Sequence, residues 1–289
     1  MQFLNPCNDV AFKKIFGSEG HKNVTISFLN SILEYKNERA IVDIEFHNTE
    51  QKRLVKEKKD TILDILCKDQ SGNRYIVEIQ VERVKAFDKR MVYYGAKTYA
   101  MQLGKKQSYH KLMPVVVVAI LDFIMFADKK NYKSIHQVLD DKTYEHDLHE
   151  LSFAFVELPK FLKEEHELIS DEDKWLYFLK WISKKDHVPA PLNEGEFEEA
   201  CNAAERMTWS EDELNAYDDA IVRATDIQGS LELAYEAGEA YGEAKGEARG
   251  KAEAKLELAQ QLLDVLDVAT IAKKTGLTIK EIEQLKKSK

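Results

Sequence analysis

The stretch that most restricts the fold is "PVVVVAILDFIMF", residues 114–126, a nearly continuous apolar run opened by Pro114. A strand with one wet face alternates apolar and polar side chains. A strand without that alternation needs apolar cover on both faces, which an α/β layer arrangement supplies. The run falls short of the roughly 18 apolar residues a spanning helix requires, and no other stretch reaches it, so no membrane segment is expected. At 289 residues and 44% hydrophobic content, the chain has enough material for helices on either side of a sheet.

Those helices and further strands can be read around the run. Residues 8–34 carry apolar positions at helical spacing, interrupted near Gly17 and Gly20, which predicts two short helices. "AIVDIEFHN", "TILDILCK" and "RYIVEIQV" are β-branched runs, the last two joined by the turn-forming "DQSGN". A helix is predicted over 86–104, ending near Gly104. The order is helix, three strands, helix, strand. It predicts an α/β domain over 1–160, followed by a helical, acidic region over 161–230 and a glycine-repeat helix with a small helical tail over 231–289.

The repeat "YEAGEAYGEAKGEARG" spaces Gly238, Gly242, Gly246 and Gly250 four apart, a slowly drifting stripe on one helix face. Each glycine costs a helix about 1 kcal/mol against alanine. Close approach of a second helix along the stripe, giving a homo-oligomer through Gly238–Gly250 or an intramolecular hairpin, would compensate. A marginal helical linker would not need to, and the sequence leaves both readings open. The tail predicts two helices about Gly276, either a DNA-binding helix-turn-helix or a small packing motif.

Charge is unevenly distributed. The net charge of −9 argues against a nucleic-acid partner, since phosphate binding requires Lys and Arg. Yet Glu194–Asp219 holds ten acids and one Arg, while Arg83–Lys111 holds eight Lys and Arg against the single Asp88. A basic stretch therefore follows the hairpin directly, with the acidic one far along the chain. The three cysteines are widely separated and match no metal-ligand spacing, which suits a reducing cytoplasm; no signal-like start is apparent.

The hairpin carries the chemistry. If residues 69–73 form its loop, Lys68 pairs with Arg74 and Asp64 lies across from Glu78. Strand alternation then puts Ile62, Asp64 and Leu66 on one face with Ile76, Glu78 and Gln80. Opposed carboxylates repel. A hard divalent cation, Mg²⁺ or Mn²⁺, would offset the repulsion and could activate a water against a phosphodiester. A polar hairpin face in solvent is the plain rival, and a one-residue slip would separate the acids. The reading requires both acids on one side of the sheet, with no permanent Arg or Lys neutralising them.

"LDILCKDQSGNRYIVEIQ" resembles the PD-(D/E)XK nuclease hairpin, in which an acid on one strand is followed by acid-x-Lys on the next. From "NDVAFKKIFG" to "RMVYYGAKTYAMQLGKKQSYHKLMPVVVVAILDF", over about residues 5–160, the chain is similar to the Rpn branch, recombination-promoting nucleases or transposases of that superfamily. The resemblance implies a restriction-endonuclease-like core, a mixed central sheet flanked by helices, followed by a helical C-terminal region. It implies a metal-dependent DNA endonuclease linked to recombination or mobile elements, or else a catalytically weak or silent DNA- or protein-binding relative. Asp64 and Glu78 would be metal ligands, and Gln80 would orient the water where the superfamily has Lys. Asp9 would add a ligand or cap its helix. Lys85, Arg90, Tyr94, Lys97 and Gln102 would contact DNA, with Tyr94 and Tyr99 equally readable as core aromatics. Lys56, Lys58 and Lys59 would add positive potential or form a solvated edge.

Overall fold

The computed structural model describes residues 1–51, 61–104 and 107–287; Lys56, Lys58 and Lys59 lie outside the described residues. The apolar run forms a strand, β6 (Val115–Leu121), buried along its whole length. Ahead of it come β1 (Ile44–Phe46), β2 (Glu50–Gln51), β3 (Thr61–Ile62), β4 (Ile65–Asp69) and β5 (Arg74–Gln80); β7 (Lys133–Val138) and β8 (Leu148–Glu157) follow it. Six of these make a sheet in the order β1-β4-β5-β6-β8-β7, and β2 and β3 pair separately. β6 runs parallel to β5 on one side and to β8 on the other, and the remaining pairings are antiparallel. The sheet is mixed, as expected.

Both faces are covered. On one, helices α1 (Asp9–Phe16) and α2 (Lys22–Leu33) bury Phe12, Ile15, Phe16 and Phe28 against Ile65, Cys67, Val77 and Val118. On the other, α3 (Phe87–Ala100) packs Phe87 and Met91 against Leu66, Ile76, Val117 and Ala119. α3 lies close to the sheet because Gly95 has no side chain: a Cβ there would stand 3.2 Å from Val117 Cγ2 and 3.4 Å from Phe153 Cε1.

The boundary expected at residue 160 is not where the compact unit ends; that unit runs Met1–Ile221. Helices α4 (Asp171–Trp181) and α5 (Gly195–Ala204) put Trp175, Phe178, Phe197 and Cys201 into the same core as Phe12 and Phe16. Their acidic surface residues had suggested a separate region. The aromatic stripe on the inner side of α4 is what joins it to α1 and α2, with Trp175 edge-on to Phe28 and Phe16.

The second unit, Val222–Lys289, takes in most of α6 (Glu211–Leu262), then α7 (Val268–Thr275) and α8 (Ile279–Lys287). Ala259, Ile271 and Ile282 form its small core. α7 stops at Gly276, whose φ of +72° is the left-handed conformation glycine adopts at no steric cost. The two-helix tail about Gly276 is therefore as expected. At Gly238, Gly242, Gly246 and Gly250 an added Cβ would meet no atom within 4 Å, so no packing among the described residues explains the stripe. Among the described residues, no helix is long and apolar enough to cross a membrane.

Candidate metal centre and nucleic-acid interface

The site is built on the β4–β5 hairpin, and its turn sets the register. Asp69 Oδ1 accepts from the amides of Ser71 (2.8 Å) and Asn73 (2.9 Å), while Oδ2 accepts from Asn73 Nδ2 and the Tyr75 hydroxyl (each 2.9 Å). Gly72 turns the chain at φ +93°. The observed pairs, Lys68 with Arg74, Cys67 with Tyr75, Leu66 with Ile76 and Ile65 with Val77, are those expected from sequence.

The ladder stops at Ile65, however. Asp64 occupies a bend between β3 and β4, so the predicted strand "TILDILCK" is two strands. Alternation fails at this bend: Leu63 and Leu66 both enter the α3-side core, and Ile62 is exposed rather than sharing a face with Leu66. The bend lets each acid take a backbone donor from the facing strand. The Asp64 amide donates to Glu78 Oε1 at 3.1 Å, and the Ile79 amide donates to Asp64 Oδ2 at 2.9 Å. The two carboxyl groups are thus held at the same end of β5.

Their environments differ. Glu78 is buried, and burial first, then the negative charge of Asp64, pushes its carboxyl up to about 8. The Asp64 amide and the charges of Arg90 and Lys13 oppose that rise without cancelling it. The Asp64 side chain retains 15% exposure and pairs with Lys13, Nζ to Oδ1 3.1 Å. The nuclease reading required that no permanent Arg or Lys neutralise the acids, so the strength of this pair bears on it directly. The lysine reaches in from α1 with its own side chain 39% exposed. Pairs in that setting contribute about 1 kcal/mol or less, little enough for a divalent ion to displace.

Lys13 is the residue sequence reasoning missed. Only its local relation was readable, since Lys13 lies one helical turn after Asp9 and shares its face; Nζ is 4.0 Å from Asp9 Oδ2. Asp9 is the first residue of α1 rather than its N-cap, although its Oδ1 accepts from the Val10 amide at 2.9 Å. The N-cap position is held by Asn8, whose side chain accepts from the Val10 and Ala11 amides. Asp9 is half exposed and shares the Lys13 ammonium with Asp64.

On the α3 side, the Arg90 Nη2 donates to Gln80 Oε1. A guanidinium can only donate, so the amide oxygen of Gln80 faces Arg90 and its NH₂ turns away. Arg90 also lies over the rings of Phe87 (4.8 Å) and Tyr94 (5.9 Å). Its Nε is buried with no hydrogen-bond partner among the described residues. Tyr94 is half-buried, its hydroxyl pushed up first by burial and then by the charge of Glu78.

Other expected DNA contacts are placed differently. Lys97 is 3% exposed and therefore inside the fold, where it cannot meet a phosphate backbone. Gln102 is committed to Met113, its Nε2 donating to the carbonyl (2.8 Å) and its Oε1 accepting from the amide (3.0 Å). This bond pair ties the end of α3 to the approach of β6. Tyr99 packs against the α3-side core. Lys85 is exposed and, with Arg83, Phe87, Phe123 and Phe126, lines a cleft of about 560 Å³.

The pair of carboxylates suits a hard divalent ion. Mg²⁺ uses one or two carboxylates and fills its remaining positions with water and phosphate oxygens. Among the described residues no three His, Cys, Asp or Glu side chains converge on a point that could hold an ion. A family model described as PD-(D/E)XK nuclease family transposase matches residues 6–234. No curated protein and no solved structure matches the chain.

Proposed function

Because the chain belongs to the PD-(D/E)XK nuclease family of transposases, we propose that it hydrolyses phosphodiester bonds in DNA with a divalent ion held by Asp64 and Glu78, in a role linked to recombination or mobile elements. The observation that carries this reading is the exchange of hydrogen bonds across the hairpin, Asp64 amide to Glu78 Oε1 and Ile79 amide to Asp64 Oδ2, which keeps two acids together beyond the end of the ladder. Two adjacent acids, one of them buried, raise the energy of the metal-free site, and a cation relieves it.

When bound, Mg²⁺ or Mn²⁺ supplies Lewis-acid polarisation of the phosphoryl oxygen and a more acidic water. The protein side does the positioning. Asp64 and Glu78 provide anionic oxygens. Gln80, with its oxygen turned to Arg90, presents N–H donors to a water lone pair or a phosphate oxygen, and it cannot accept the water's proton. Arg83 and Lys85, on the exposed stretch just beyond β5, supply positive charge for backbone phosphates.

The test is a nicking assay. Supercoiled plasmid with Mg²⁺ is expected to be nicked by the wild type and left intact by Asp64→Ala; equal nicking by both proteins would end the proposal. A second reading, a silent descendant that binds DNA or a protein, draws on the absence of lysine at Gln80 and on the Lys13 pair at Asp64. It requires that the wild type show neither nicking nor divalent-ion binding.

A further inference from the structure

We propose that Lys13, from helix α1, supplies the positive charge that position 80 lacks, and that its target is an anionic oxygen of the scissile phosphodiester. The inference rests on the nuclease reading and deepens it. Strand β5 ends in acid-x-Gln, and a carboxamide carries no charge to set against the charge that builds on a phosphoryl group under attack. Its oxygen is already engaged by Arg90. Among the described residues, a compact cation beside Asp64 comes instead from the opposite face of the sheet: Lys13 Nζ is 3.1 Å from Asp64 Oδ1 and 4.0 Å from Asp9 Oδ2.

The backbone that carries Lys13 is held on both sides. Asn8 caps the first turn of α1, and Phe12, Ile15 and Phe16 are fully buried. The helix stops at Gly17, whose amide donates to the Lys13 carbonyl at 2.8 Å. A Cβ at position 17 would come within 2.7 Å of that carbonyl oxygen, so the turn accepts only glycine without shifting. The side chain, in contrast, is 39% exposed, and an ammonium has three donors. It can hold Asp64 and still reach an oxygen outside the protein. A lysine suits this task better than an arginine fork, because its charge is concentrated on one freely rotating group. Lys14, the next residue, is turned elsewhere, paired with Glu213 at 2.6 Å and lying over the Trp209 ring, so the two lysines of "FKK" have separate roles.

Three proteins, wild type, Lys13→Gln and Lys13→Arg, should be compared by plasmid nicking, by Mn²⁺ titration in a calorimeter and by thermal unfolding. Lys13→Gln is expected to nick about 10–100-fold more slowly while binding Mn²⁺ at least as tightly as wild type, since a competing cation has left Asp64. Lys13→Arg, which keeps the charge but spreads it over a planar fork, is expected to recover part of the lost rate. Wild-type nicking by Lys13→Gln overturns the inference. So does a parallel loss of nicking, Mn²⁺ affinity and melting temperature, which marks Lys13 as a structural ion pair. A wild type that does not nick defeats the nuclease reading first, and this inference with it.

Discussion

The backbone amide of Asp64 donates to Oε1 of Glu78 at 3.1 Å, so one acid of the pair is fixed by the main chain of the other. Side-chain rotamers alone do not set their separation. The bend at Asp64 frees that amide from the sheet ladder, and the bend in turn exists because Leu63 and Leu66 both enter the α3-side core. Packing on one face of the sheet thereby determines the electrostatics at the end of β5.

Glu78 should make stability depend on pH. Its folded-state carboxyl, pushed up to about 8 from 4.5, keeps a proton that the unfolded chain loses at lower pH. The folded state therefore binds more protons across that window, and stability falls as pH rises through it, by on the order of 2–4 kcal/mol for this group. Glu78→Gln mimics the protonated acid. Its melting temperature is expected to match the wild type near pH 5 and exceed it by several degrees near pH 9, and an unchanged difference between those two pH values would contradict the assignment.

Asp69→Ala should destabilise the chain by about 2–4 kcal/mol, because it leaves two turn amides, the Asn73 amide group and the buried Tyr75 hydroxyl without their acceptor. Chemical denaturation measures this. A loss under about 0.5 kcal/mol would mean the turn does not depend on that carboxylate.

Two lysines of the basic stretch should separate cleanly. Lys85→Ala, at an exposed position, is expected to reduce the salt dependence of DNA binding by about one unit of slope. Lys97→Met, inside the fold, is expected to change thermal stability and leave that slope alone. Fluorescence anisotropy at several salt concentrations distinguishes them; the reverse pattern would show the basic face to be misassigned.

How much of this was legible in the sequence follows from the range of each signal. The hairpin register was readable because "DQSGN" is a local device, with Asp69 collecting its own turn's donors. β6 was readable because burial on both faces leaves no alternation. The bend at Asp64 was not, since it depends on where Leu63 finds cover on α3, more than twenty residues away in sequence. Lys97 and Gln102 looked like surface groups in a basic helix; Gly95 brings α3 so close to Val117 that its polar residues fall partly inside. The ion pair between Lys13 and Asp64 joins elements about fifty residues apart, and no spacing rule connects them. β7 and β8 also passed unread, their polar outer faces masking the β-branched and aromatic positions.

The glycine stripe allows a sharper test than the sequence did. With nothing within 4 Å of the added Cβ atoms, Gly242→Ala with Gly246→Ala should raise helicity and stabilise α6 by about 1 kcal/mol per site. Circular dichroism and sedimentation are the measurements. A loss of oligomer mass on substitution would instead show that a second chain lies along the stripe.

The most direct measurement is calorimetric titration of Mn²⁺ into the wild type, Asp64→Asn and Glu78→Gln at pH 8.5, on the alkaline side of the raised Glu78 carboxyl. One ion is expected to bind the wild type, with affinity reduced at least tenfold in each variant. Binding of equal strength in all three proteins would contradict a shared ion between these two acids, and with it the assignment of the hairpin as a metal centre.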